Sequence, residues 1–188
     1  RVLPVRRSPK DGCLMAVIEA IETIYLEADA ASVTTATLPT TYEHLQIRAS
    51  LRGPRAGTQQ VYFRPNSDST AIYYYKYMTA YGTTIGADGR FASYPYFNLL
   101  DVPYVDSNAA AYGTLIIDIL DYRNTNKNTT VNWTTGMNGI TGTNPNRVVF
   151  GSGVWDSTVA VTTLNFLTIS DGFSRGSSFT VYGLNSAN

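Results

Sequence analysis

Very few residues in this chain are of the types that do chemistry. His44 is the only histidine and Cys13 the only cysteine. A Ser-His-Asp triad would need His44 as its base. The sequence instead places it in an alternating strand, on the solvent side, beside Glu43. A zinc site takes three or four His, Cys or carboxylate ligands, more than one His and one Cys supply without carboxylates. Asp118 and Asp121 stand three apart in one expected strand, so they project to opposite faces and do not pair as acid and base. Asp101 and Asp106 flank Pro103 without the spacing of a calcium loop. Gly151-Ser152-Gly153 lacks the lysine and the following helix of a phosphate cradle. Cys13 cannot form an intrachain disulfide and is read as an ordinary thiol. The expectation is a protein without catalysis, metal or cofactor.

Binding chemistry is better represented. Trp133, Trp155 and a Tyr-rich stretch over 79–112 carry rings that stack on sugars. The same residue types also fill β cores and subunit interfaces, and that reading is preferred. From this stretch Tyr81, Tyr94, Tyr96, Phe97 and Tyr104 are candidates for subunit or shell contact, together with Arg48 and Arg52. Arg1, Arg6, Arg7 and Lys10 give residues 1–10 a charge of +4 with no acid. That leaves 10 basic against 14 acidic residues, or −4, on the remainder. Such a short basic arm suits docking onto an acidic protein neighbour, and a net charge of zero argues against nucleic acid as the partner of the whole surface.

The elements that would position these residues read as strands. Residues 1–14 form an expected extended arm, with Pro4 and Pro9 favouring extended backbone, and 15–188 form one domain. Leu14–Leu26 has both helical spacing and β-rich content and is assigned to a strand. The cleanest alternation is Glu43–Arg52, where Leu45, Ile47, Ala49 and Leu51 share one face and His44, Gln46, Arg48, Ser50 and Arg52 the other. Gln59–Arg64 and Thr70–Met78 are expected to pair, and residues 79–113 to form a long irregular segment punctuated by Gly and Pro. Thr114–Tyr122 and Thr129–Thr135 follow, then Arg147–Phe150 and Val154–Trp155 with a bulge or bend at the Gly-Ser-Gly between them. Val161–Leu184 reads as two strands around a compact loop, a hairpin forming one wall of the core. Nine or ten short strands and no convincing helix predict an all-β, antiparallel β-sandwich, jelly-roll-like, with an extended N-terminal arm.

Composition agrees with that class. Charged residues make up 15% of the chain, below the ~25% of an average soluble domain, while Tyr and Gly are abundant. The aromatic content excludes a disordered chain. No apolar run reaches the ~18 residues of a membrane span, and residues 1–14 lack the apolar middle of a signal peptide. The sequons at Asn128 and Asn132 are read as chance matches in Thr-rich strand sequence.

Four stretches together carry a resemblance: SVTTATLPTTYEHLQIRASLR (32–52), AIYYYKY (71–77), GVW (153–155) and SFTVYGL (178–184). In them the chain resembles bacteriophage virion proteins over most of residues 15–184. The resemblance implies a jelly-roll-like sandwich on a phage particle. It further implies a capsid cement or decoration role at the capsid surface, in which the chain binds and stabilises the major capsid protein lattice with the arm as a tether. Self-association is expected, a trimer before a dimer. The alternative is a tail-associated receptor-binding or fibre module that recognises host surface carbohydrate.

Overall fold

The structure, a computed structural model, describes residues 17–54, 59–102, 111–137 and 146–185. Among these residues there is no helix. Twelve strands build an eight-stranded and a four-stranded antiparallel sheet, packed as a β-sandwich. In chain order they are β1 Val17–Tyr25, β2 Ser32–Thr34, β3 His44–Leu51, β4 Gln59–Pro65, β5 Tyr73–Tyr81 and β6 Thr84–Tyr94. The second half holds β7 Phe97–Val102, β8 Gly113–Ile119, β9 Thr129–Met137, β10 Arg147–Trp155, β11 Leu164–Thr168 and β12 Ser178–Asn185.

The larger sheet runs β1-β12-β3-β8-β9-β10-β5-β6 and the smaller β2-β11-β4-β7. With the hairpins β5–β6 and β9–β10 set aside, successive strands cross from one sheet to the other, except that β4 and β7 pair within the smaller one. The pairings then nest, with β1 on β12 and β2 on β11. The two hairpins extend the larger sheet into a wing of four strands. β7, at the edge of the smaller sheet, packs across β9, β10 and β5 and so ties the wing to the sandwich.

Alternation explains which residues fill the space between the sheets. Leu45, Ile47 and Leu51 of β3, Leu115, Ile117 and Ile119 of β8, and Phe179 and Val181 of β12 are buried, as are Phe63 and Phe166 opposite them. Each such aliphatic or aromatic side chain contributes roughly 1.5–3 kcal/mol by leaving water. Under the wing the core is aromatic. Phe97 meets Tyr73 edge-on with ring centroids 5.0 Å apart, and Tyr75 and Trp133 at 6.3 and 6.2 Å.

Several sequence expectations are corrected by this arrangement. β11 and β12 lie in different sheets, so Val161–Leu184 is a crossover and not a hairpin. β4 and β5 are likewise separated, one in each sheet. Residues 79–113 are no single long loop, since they end β5 and contain β6 and β7. Gly86, Gly89 and Pro95 hide these strands, and a register shift between Tyr73 and Tyr75 interrupts the alternation of the β5–β6 pair. β10 is one strand with no bulge: its register on both β5 and β9 runs unbroken from Arg147 to Trp155. Its glycines have a packing cause. A Cβ on Gly151 would lie 2.1 Å from the Trp133 indole, and one on Gly153 would lie 2.6 Å from the Phe97 ring. The expected arm, residues 1–14, lies outside the described residues, as do Cys13 and Tyr104.

The loop between β4 and β5 anchors the end of β10. Trp155 Nε1 donates to Asp68 Oδ2 at 2.9 Å, while Oδ1 accepts from the backbone N–H and the hydroxyl of Thr70 at 2.8 and 2.6 Å. Burial pushes the Asp68 carboxyl up, but these hydrogen bonds outweigh it and hold the group below the usual carboxylate range.

Two stability predictions follow from these contacts. Gly151→Ala forces a methyl into the Trp133 ring, and overpacking of this kind lowers stability by about 1–3 kcal/mol, measurable by urea denaturation. Asp68→Ala leaves the buried Trp155 N–H without its acceptor, at a cost of about 1–3 kcal/mol near neutral pH. A carboxyl with a depressed folded pKa stabilises above its unfolded pKa and loses that contribution as pH falls through the folded value. The gap between wild type and Asp68→Ala therefore stays constant at neutral pH and narrows below about pH 4.

Candidate functional site

Strand register assembles a developed surface feature among the described residues, on the outer face of the wing. Side chains on a strand alternate, so the residues between the buried ones form straight rows across the sheet. Gln46 of β3 stands opposite Asp118 of β8, which stands opposite Asn132 of β9. Asn132 is in turn opposite Ser152 of β10, and Ser152 opposite Lys76 of β5. This row is wholly polar. One step along the strands, the next row is largely apolar: Ile116, Thr134, Phe150, Met78 and Ala87. A third row adds Val148, Ala80 and Ile85.

The apolar members are open to solvent, Phe150 at 60%, Met78 at 63% and Ile85 at 83% exposure. Scattered apolar side chains are normal on a protein surface, but a contiguous group of this kind marks a binding surface. Where the polar and apolar rows meet, the sheet forms a cleft of about 750 Å³ lined by Lys76, Met78, Asp118, Asn132, Phe150 and Ser152. That volume falls within the range of small-ligand sites.

The β3 side of the face is internally satisfied. Gln46 Nε2 donates to Asp118 Oδ1 at 2.8 Å, Arg48 Nε donates to Gln46 Oε1 at 2.9 Å, and the Arg48 guanidinium lies 5.3 Å over the Tyr182 ring. Asn132 and Ser152 are exposed, and their side chains are not engaged by another described residue. The wing side of the polar row thus keeps hydrogen-bonding groups directed at solvent.

The sequence-derived candidates are distributed otherwise. Trp133 and Trp155 are each 2% exposed, so neither offers a ring face to a sugar; both belong to the core. Phe97 is fully buried as the wedge between the sheets, and Arg52 is buried at the end of β3 beside Ser177 and not on the wet face. Tyr96 stacks on Tyr62 at 3.8 Å with the Arg64 guanidinium 5.7 Å above it, and Tyr94 meets Tyr96 edge-on at 5.3 Å. Burial and the hydrogen-bonded Tyr96 push the Tyr62 hydroxyl far above its ordinary range. These rings close the β6–β7 turn onto β4. Arg48 and Tyr81 remain exposed, Tyr81 beneath the Arg147 guanidinium at 5.0 Å. Arg1, Arg6, Arg7, Lys10 and Tyr104 lie outside the described residues.

His44 holds a turn. Its Nδ1 accepts from the Asp121 backbone N–H at 3.0 Å, and the Asp121 carboxylate is bonded to Lys127. Hydrogen bonding to Lys127, joined by the charge of its ammonium, outweighs burial and keeps that carboxyl below the usual range. Asp121 is one of the few non-glycine residues in the left-handed region, at φ 50°. Asp118 points instead into the outer-face row, so the two aspartates do not meet. Among the described residues no group of three or more His, Cys, Asp or Glu is placed to hold a metal.

Sequence reasoning missed Phe150, Met78, Asn132 and Ser152. The available signal was alternation within TTVNWTTGM and YYYKYMTAY, whose intervening positions face outward. Only the register between strands shows that these positions adjoin. No protein-family description and no curated protein matches the chain. The resemblance to bacteriophage virion proteins therefore rests on the residues that carry it.

Buried indoles make a direct optical prediction. The native fluorescence should be almost insensitive to iodide and become quenchable on unfolding in urea. Strong quenching of the folded protein would place a tryptophan at the surface.

Proposed function

We propose that this chain is a non-enzymatic structural protein of a bacteriophage particle, which decorates the capsid and stabilises the major capsid protein lattice. The observation that carries this reading is the winding of the strands. The order β1-β12-β3-β8 in one sheet and β2-β11-β4-β7 in the other is that of two interlocked Greek keys, which we read as a jelly roll. Jelly rolls serve repeatedly in viral shells and in lectins. A fold by itself names a setting and not a task, and the residues resembling virion proteins select the shell.

The attachment edge follows from the chain path. β1 lies at the edge of the larger sheet opposite the wing, and in the sequence the basic residues 1–14, which we take as the tether, precede it. Ile18 and Tyr25 are exposed on β1 beside the polar edges of Glu19 and Thr23. An edge strand with a basic tether is suited to bridging subunits of a lattice, because main-chain pairing and charge act together without a large rigid interface. Such a protein stabilises a shell by mass action, since it binds the assembled lattice better than its dissociated parts. We expect the decorating unit to be a homo-oligomer, a trimer before a dimer.

Replacement of Arg1, Arg6, Arg7 and Lys10 by Ser should reduce co-sedimentation with undecorated shells several-fold at physiological salt and leave the unfolding curve unchanged. Immunogold label on intact particles should spread over the head. Equal decoration by the variant would remove the tether from this reading, and label confined to the tail tip would overturn decoration itself.

A further inference from the structure

We propose that the outer face of the wing is a binding site for a short neutral oligosaccharide, stacked on Phe150 and read by Asn132, Ser152, Asp118 and Lys76. The inference is independent of capsid decoration, because it concerns the opposite end of the sheet from β1 and needs no particle.

The ligand class follows from how two rows of different chemistry adjoin. Phe150 and Ser152 are two apart on β10, so a ring and a hydroxyl project side by side from one strand face. Asn132 stands directly across from Ser152 on β9, and Lys76 directly across on β5. Asp118 continues the row on β8. Carboxylate, amide, hydroxyl and ammonium thus follow one another at the strand spacing of about 4.8 Å, over a span of about 14 Å. Each differs in donor and acceptor capacity. A ligand that satisfies such a row has hydroxyls along its whole length, while the exposed Phe150 ring requires a C–H face alongside them. Sugar rings combine these two properties. The cleft is lined by two carboxylates, Asp118 and Asp88, against the one ammonium of Lys76, which disfavours a polyanion and suits an uncharged chain of hydroxyls. The cleft of about 750 Å³ accommodates more than one ring.

This site differs from the sugar reading of the sequence, which used the tryptophans. Both indoles lie within the core, whereas Phe150 is an aromatic ring that the outer face leaves open beside the unengaged side chains of Asn132 and Ser152. Its exposure also means that truncation leaves the core intact.

The test is an NMR titration of the ¹⁵N-labelled chain with four neutral trisaccharides, of glucose, N-acetylglucosamine, mannose and galactose. At least one should give saturable shifts concentrated at residues 76–78, 132–134 and 150–152. Phe150→Ala and Asn132→Ala should each weaken that binding tenfold or more with spectral dispersion retained. Ile85→Ser, on the apolar rim outside the cleft, should leave it unchanged. The proposal is overturned by the absence of saturable shifts from all four sugars, or by binding that survives Phe150→Ala. It is equally overturned if the same residues shift with protein concentration alone and sedimentation shows a dimer that Ile85→Ser abolishes, which would assign the face to contact between copies.

Discussion

The packing of Phe97 between the two sheets is the contact on which the wing depends. Four strands of the larger sheet extend past the nested pairs of the sandwich, and a sheet with both faces in water is unstable without something to bury. Phe97 supplies it, because β7 brings this ring under Tyr73, Tyr75 and Trp133 at once. The demand propagates into the sequence of β10. Gly153 is bare where the Phe97 ring arrives, and Gly151 is bare where the Trp133 indole crosses the strand. Small residues on one strand are thus the complement of large rings on its neighbours, as close packing requires.

The same alternation that packs the inner face composes the outer one. Every ring that β5, β9 and β10 send inward fixes an outward position two residues long in period, so the polar row and the apolar row beside it are by-products of core register. A slip of one residue in β10 would bury Phe150 and expose Trp155. Surface chemistry on the wing is therefore held as firmly as the core that lies beneath it. The two functional proposals use opposite ends of this sheet, the β1 edge for attachment and the wing for recognition, and so do not compete for surface.

Legibility of the fold varied with how local its signals were. β3 was plain because Leu45, Ile47, Ala49 and Leu51 alternate with polar residues and one face is wet. β6 and β7 were hidden by Gly86, Gly89 and Pro95, which act as turn signals in an isolated sequence but are accommodated here at an edge strand and a tight connection. Gly151-Ser152-Gly153 reads as a bulge or bend in the isolated sequence, since the large rings that demand those glycines lie on β7 and β9, remote in sequence. Trp133 and Trp155 carried both a core and a sugar reading, because an aromatic ring has the same type whether it is buried or presented.

Strand content, the antiparallel sandwich and the scarcity of catalytic residue types were determined by the sequence itself, through period-two patterning and composition, which are properties of short windows. Tertiary structure alone decided which strands share a sheet, that β11 and β12 part company, and that Phe150 rather than a tryptophan faces solvent. The physical reason is that strand pairing joins residues far apart along the chain. Within a strand, alternation separates two faces, but only long-range packing decides which of them is inside.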